Sequence, residues 1–327
     1  MVKATAPKTD IAPATPPLTV GVIGLGIMGS AMAANVVKAG FQVLGYDPVA
    51  AARTRLKKSG GTPCASIAEV ARQCSRIVLS LPSEAALDQV CAELVASKVN
   101  GHVKGHLKGL VVAETSTLPE AAKKRAYNVL HKHGITLLDC PLSGTGAQAR
   151  SRDLAVYASG DARAIAAFGP VFDGFARVRY DVGAFGNGIR MKLVANLLVA
   201  IHNVSAAEAI LMGVRSGLDA AMIVKVVADG AGGSRMFQVR GPTMVARTWG
   251  EATMKVSTWQ KDMRLINDAL QATDTAAPLF AATQPIYNAA MALGHGMDDT
   301  AAVYSVLEHL MGARPAPASA ARKKSKK

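Results

Sequence analysis

From residue 18 onward, short β-branched apolar runs alternate with longer stretches whose apolar residues recur at helical spacing. Leu18–Ile23, Gln42–Tyr46, Ile77–Leu81, Leu110–Ala113 and Ile135–Asp139 predict five strands, and Leu154–Ala158 and Val178–Asp181 add two more. Strands separated by helices are the pattern of a parallel sheet joined by crossovers. Ser66 with Glu69, and Thr117 with Glu120, have capping-box spacing and mark helix starts, the second with Pro119 in its first turn. After residue 187 the strand signal stops. Ile189–Ser216 lacks proline, has Gly213 as its one internal glycine, and predicts a helix of about 40 Å, long enough to join domains or subunits. The expected class is α/β: a Rossmann doubly wound parallel sheet over residues 18–186, and an all-helical domain over 187–313 joined to it by the long helix.

Of the 327 residues, 50% are apolar and 18% charged, enough to bury a sizeable core. The greasiest stretch, Leu193–Ile201, is broken by Asn196 and falls short of the roughly 18 apolar residues a bilayer span requires, so no membrane partner is expected. The net charge is +14, but six of those charges lie beyond residue 313 and one in the first 17, leaving +7 for the rest. A spread of that size suits small anions and disfavours a nucleic-acid partner, which needs a contiguous basic stripe. Cys64, Cys74, Cys91 and Cys140 are widely spaced, form no C-x-x-C pair, and fit a reducing, cytoplasmic setting. Residues 1–17, rich in Pro, Ala and Thr, lack the apolar segment of a secretion signal and read as a disordered leader. Residues 314–327 read as a basic disordered tail that aids solubility.

Gly24, Gly26 and Gly29 stand at G-x-G-x-x-G spacing, directly after a strand and at the start of an Ala-rich helical run. The first glycine allows a tight turn, the second lets a pyrophosphate approach, and the third brings helix and strand together. Asp47, 23 positions after Gly24, ends the second strand, where it would accept bonds from a ribose and repel a 2′-phosphate. NAD is therefore favoured over NADP, although Arg53 could meet a phosphate and Asp47-Pro48 could simply cap a turn. Candidate cofactor contacts are Gly24, Gly26, Ile27, Met28, Gly29 and Asp47, with Leu81 and Pro82 where the third strand ends.

On the long helix, Lys192 and Asn196 stand four apart on one face, and Asn203 continues the stripe. Unpaired burial would cost each about 1–3 kcal/mol, more for the lysine, so either an internal network or a substrate meets them. Upstream, Gly183, Gly186 and Gly188 would let cofactor and substrate approach the helix start. Asp139-Cys140-Pro141-Leu142-Ser143-Gly144-Thr145-Gly146 follows a strand with small residues able to aim N–H groups and hydroxyls at a carboxylate. Glu114-Thr115-Ser116-Thr117 ends another strand, at the sheet edge where ligands collect; Thr117 is expected to cap the next helix, with Ser116 free for the pocket.

Taken in order, GVIGLGIMGSAMA with Asp47, ETST, DCPLSGTGAQA, GNGIRMKLVAN and the Lys261-Asp262 pair resemble the β-hydroxyacid dehydrogenase family, that of 3-hydroxyisobutyrate dehydrogenase, over Leu18 to Met311. The resemblance implies an NAD-dependent oxidoreductase, usually a homodimer or homotetramer. It implies that Ser143, Gly144 and Thr145 hold the carboxylate of a small substrate, that Lys192 is the acid/base, and that Asn196 orients both. Ser116 and Lys261 would line the nicotinamide side. The chain departs from the family in having Thr145 for the second glycine of Ser-Gly-Gly and Ala195 for the first of two asparagines, so the particular acid is left open.

The expected chemistry is hydride transfer between NAD and C3 of a 3-hydroxy acid, with the Lys192 pKa drawn from about 10.4 toward roughly 7–8 by burial or by a cation such as Lys261. Tartronate semialdehyde reduction and oxidation of a threonate-type sugar acid are alternatives. Outside enzymes the alternative is a nucleotide-sensing or nucleic-acid-binding scaffold, although retention of Lys192 argues against it. No metal site is expected: His102 and His106 are four apart but flank Gly105 without a nearby carboxylate. His202 is expected in the core, and Arg152 and Arg190 in solvent.

Overall fold

The computed structural model describes residues 18–99 and 109–312. The expected leader, the basic tail and the His102/His106 pair lie outside them. The first part runs β1 (Thr19–Ile23), α1 (Ile27–Lys38), β2 (Gln42–Tyr46), α2 (Ala50–Lys58), β3 (Thr62–Pro63), α3 (Ile67–Gln73), β4 (Arg76–Leu79), α4 (Glu84–Val99), β5 (Val111–Glu114), α5 (Glu120–Lys132) and β6 (Thr136–Asp139). All six strands pair in parallel in the order β3-β2-β1-β4-β5-β6. The order reverses between β1 and β4, which opens a crevice at the carboxyl ends of those strands. Successive side chains of β1 divide between the faces. Val20 and Val22 meet α1, while Ile23 joins the side covered by α3, α4 and α5.

Then follow β7 (Leu142–Ser143), α6 (Gly146–Arg150), β8 (Ala155–Ala158), α7 (Ala162–Phe175) and β9 (Val178–Asp181). The three strands form their own sheet, β7 antiparallel and β9 parallel to β8. Phe168, Phe172 and Phe175 of α7 are fully buried against α1. Truncating one such phenylalanine costs about 3–5 kcal/mol.

The remainder is helical: α8 (Asn187–Arg215), α9 (Ala220–Asp229), α10 (Arg235–Ala246), α11 (Val256–Ala272), α12 (Pro278–Ala292) and α13 (Val303–Leu310). α8 is the spine, packed against each of the other five helices. Its length, and an 18-residue stretch within it of mean hydropathy 1.7, would suffice for a membrane crossing by length and composition alone. However, Lys192, Asn196 and Asn203 lie on its buried stripe, and that stripe faces the other helices rather than lipid.

Some expectations change. Thr117 does not cap α5: the N-cap is Pro119, without a side-chain cap. Pro119 is itself extended, with ψ 141°, and the residue before a proline avoids helical angles, so the helix starts only at Glu120. Ser66 does cap α3, accepting the Glu69 N–H at 3.2 Å, but the Glu69 carboxylate reaches back one residue further, to the Ala65 N–H at 2.7 Å. The short β3 carries too few residues for a periodic signal.

Candidate active site

At the cofactor end, Gly24 has φ +88°, and a Cβ there would sit 2.1 Å from the Ser80 carbonyl oxygen. A Cβ on Gly29 would lie 1.9 Å from the Gly24 carbonyl oxygen, so this glycine sets the approach of α1 to β1. Over Gly26 there is nothing within 4 Å. Gly26 is also the N-cap of α1 and brings no side-chain cap to the helix start. Free N–H groups beneath open space fit a pyrophosphate. The Asp47 carboxylate accepts the Leu25 N–H at 2.7 Å and the Val49 N–H at 2.8 Å, so it caps a turn and is also held against the glycine loop. Each oxygen retains a lone pair for a ribose hydroxyl. Arg53 folds back onto the carbonyls of Asp47 and Pro48.

A cavity of about 300 Å³ opens between the sheet and the helical part. Of the predicted residues, Ile27, Met28, Leu81, Pro82, Ser116, Gly144, Thr145, Lys192 and Lys261 line it. Ser143 and Asn196 stand behind the wall, and Gly24, Gly26, Gly29 and Asp47 lie away from it along the glycine loop. Gly144 has φ +134° and Thr145 caps α6, its hydroxyl accepting the Gln148 N–H and its own N–H meeting Gln148 Oε1 at 3.0 Å. That N–H is therefore committed, and the Thr145 hydroxyl keeps its hydrogen for a ligand. Ser116 is fixed in the same way: its oxygen accepts the Leu81 N–H at 2.7 Å.

Lys192 is 9% exposed and lines the cavity, and among the described residues no acceptor reaches its ammonium. Burial, reinforced by the neighbouring Lys261 charge, pushes its pKa below the ordinary lysine value against the pull of Asp262. Asp262 accepts a bond from Asn196 Nδ2 at 3.1 Å and pairs with the Lys261 ammonium at 2.9 Å. Asn196 thus touches the lysine's charge partner from behind. Lys261 also donates to the Thr117 carbonyl, tying α11 to the loop after β5.

The motif reading overlooked Thr253, Met254 and Lys255, which close the cavity from the helical side. Their loop is clamped by Asp299, which accepts the Thr253 and Met254 N–H groups at 2.8 and 3.1 Å and is buried against Arg240. No local pattern announces a loop whose anchor lies 46 residues away.

Other expectations are corrected. Gly183, Gly186 and Gly188 are absent from the cavity wall. Gly188 is needed because a Cβ there would meet the Asp139 carbonyl oxygen at 2.5 Å, so it seats α8 on β6 rather than admitting a ligand. Asn203 serves an internal network, donating to the Thr300 carbonyl at 2.8 Å and to Tyr287 Oη at 3.1 Å. His202 is half-buried rather than in the core. Arg190 is exposed, as expected, and pairs there with Glu120.

A doubly wound dinucleotide fold, a glycine loop with Asp47 and a lysine-bearing cavity at the switch point define an NAD(P)-dependent oxidoreductase. Residues 19–186 match the family described as NAD binding domain of 6-phosphogluconate dehydrogenase, and residues 186–307 match NAD-binding of NADP-dependent 3-hydroxyisobutyrate dehydrogenase. The chain is 32% identical to L-threonate dehydrogenase of Cupriavidus necator, over 88% of this chain and 95% of that one. It is 29% identical to mouse mitochondrial 3-hydroxyisobutyrate dehydrogenase, over 88% and 86%. A crystal structure of 3-hydroxyisobutyrate dehydrogenase from Salmonella typhimurium superposes with a TM-score of 0.77 at 28% identity, covering 88% of this chain and 99% of that one. The chain belongs to the β-hydroxyacid dehydrogenase family and is an NAD(P)-dependent hydroxyacid dehydrogenase.

Proposed function

We propose that the chain moves a hydride between NAD and C3 of a small 3-hydroxy acid, with Lys192 as general acid/base. The observation that carries this is the Lys192 ammonium, desolvated, without an acceptor among the described residues, and open to the cavity. The cofactor, once bound, accepts or returns the hydride. In oxidation, Lys192 Nζ takes the proton of the C3 hydroxyl, for which a lowered pKa is required; in reduction it gives that proton back. The Ser143–Thr145 turn holds the carboxylate, mainly through the Thr145 hydroxyl and the cavity-lining Gly144 backbone. Asn196 holds Asp262, and through it the field at Lys192. Ser116 and Lys261 line the nicotinamide side.

Oxidation of a threonate-type sugar acid is the second reading. It is supported by the similarity to L-threonate dehydrogenase and by the hydroxyls of Ser80, Thr117 and Thr258, which line the cavity with no side-chain bond of their own among the described residues. A polyhydroxylated acid would use them; the methyl of 3-hydroxyisobutyrate would not. The glycine loop as a cofactor cradle, a boundary near residue 187, a homodimer or homotetramer through the exposed Met212, Leu218, Met222 and Val226, and a cytoplasmic setting for four free buried thiols complete the proposal.

The test is Lys192→Ala, assayed with NAD on 3-hydroxyisobutyrate and L-threonate and with NADH on tartronate semialdehyde. We expect kcat to fall by about 10²–10⁴ with NAD affinity retained. An unchanged kcat removes the lysine from the mechanism, and the substrate with the highest kcat/KM decides between the two readings.

A further inference from the structure

A second lysine is linked to the cavity wall through a buried carboxylate. Lys123 of α5 is fully buried, its ammonium 2.7 Å from Glu114 Oε2 and 2.6 Å from Asp139 Oδ1, and both carboxylates are fully buried as well. None of the three lines the cavity. Each carboxylate uses its other oxygen on an element that does. Glu114 Oε1 accepts the Ser116 N–H at 2.8 Å, and Ser116 Oγ accepts the Leu81 N–H at 2.7 Å, so this arm sets two residues of the cofactor-side wall. Asp139 Oδ2 accepts the Ile189 N–H at 2.8 Å, and the Ser159 hydroxyl, bonded to the Asp139 carbonyl oxygen at 3.0 Å, accepts the Gly188 N–H at 3.0 Å. That arm holds the first turn of α8, three residues before Lys192.

A buried ion pair is poor evidence for stability, because well-packed apolar residues of similar volume serve as well or better. Two carboxylates and one ammonium leave a net negative charge facing the N–H groups at the start of α8, a favourable arrangement. The contact of Gly188 with β6 leaves that start little room to shift. We infer that Lys123, with Glu114 and Asp139, is a positioning residue for the reaction: it fixes the distance between the Ser116 loop and the helix that carries Lys192. The inference rests on Lys192 being the acid/base.

The experiment is a double-mutant cycle on the full-length protein, with kcat, KM and NAD affinity measured on whichever of 3-hydroxyisobutyrate or L-threonate is turned over. Lys123→Met should lower kcat per folded site by on the order of 10- to 100-fold, while KM and NAD affinity move less than about 3-fold, as expected for misplacement at a distance from the chemistry. Added to Lys192→Ala, it should lower kcat no further. Glu114→Gln, which keeps the volume and the acceptor for Ser116, should act in the same direction more weakly, and it decides alone if Lys123→Met does not fold. Equal proportional losses in both backgrounds, or losses that follow the folded fraction, overturn the inference. Wild-type activity in Lys123→Met with an inactive Lys192→Ala overturns this inference alone; an active Lys192→Ala overturns the acid/base reading and this inference with it.

Discussion

Lys123 and Lys192 are both taken out of water, yet their environments drive them in opposite directions. At Lys123, burial by itself would lower the pKa, but Glu114 and Asp139 outweigh it and hold the ammonium above the ordinary lysine value. At Lys192, the same burial is opposed only by Asp262, whose effect is offset by Lys261, and the pKa falls. The difference between a frame and a reactive site is therefore not depth but how many opposite charges are placed within reach. The frame spends two carboxylates on one ammonium. The site leaves its ammonium unpaired and opens it to a cavity.

The largest effect that separates the two concerns stability. Lys123→Met removes one partner from a buried ionic network and should cost about 3–5 kcal/mol in urea unfolding. A variant as stable as the parent would remove the distinction. Lys192→Met discards a desolvated charge with no acceptor, and should leave stability unchanged or raise it by up to about 2 kcal/mol, as active-site charges often oppose folding. The pH dependence follows with opposite signs. The folded pKa of Lys192 lies below its unfolded value of about 10.4, so between the two the unfolded chain binds more protons and Lys192 makes stability rise with pH. The folded pKa of Lys123 lies above it, so the stability Lys123 contributes is complete below about 10.4 and is lost as pH climbs through the folded value. Urea titrations of the two methionine variants against wild type across alkaline pH check both signs.

A smaller effect sharpens the boundary between frame and cavity at Thr145, which caps α6 and also faces the substrate space. Thr145→Gly should cost a few tenths of a kcal/mol as a lost cap, and it should change relative kcat/KM among hydroxy acids more than it changes stability. No change in substrate ranking would make Thr145 part of the frame alone. The smallest effect is at the thiols. Burial pushes Cys64 up to about 11 and Cys74 and Cys91 up to about 12, and burial beside Asp139 holds Cys140 well above the ordinary thiol value. Native protein should therefore show no rapid labelling by a thiol reagent at pH 8, with all four sites reacting in urea.

What is legible in the sequence is what is local. The glycine turn and Asp47 end the two strands of one strand-helix-strand unit, so their roles follow from spacing, and Lys192 and Asn196 share a face because a helix repeats every 3.6 residues. The remainder is tertiary. Glu114 and Asp139 stood inside recognised strand ends, but their common partner Lys123 is brought to them only by the packing of α5 on the sheet. The Thr253–Lys255 wall depends on Asp299, and Asn203 found its partners on α12 and near α13 rather than in a substrate. The glycines before α8 were misread for a related reason. Composition marks them as permissive, and only the neighbouring backbone of β6 and β8 shows that Gly188 is there to make room for Asp139 and Tyr157.

The comparison between the two lysines is tested most directly by an NMR titration of the lysine side-chain ammonium groups in the folded protein, with Lys192 and Lys123 assigned through arginine and methionine substitutions. The account predicts a Lys192 midpoint below the ordinary value of about 10.4 and a Lys123 midpoint above it. A Lys192 midpoint at or above that of a free lysine would contradict it.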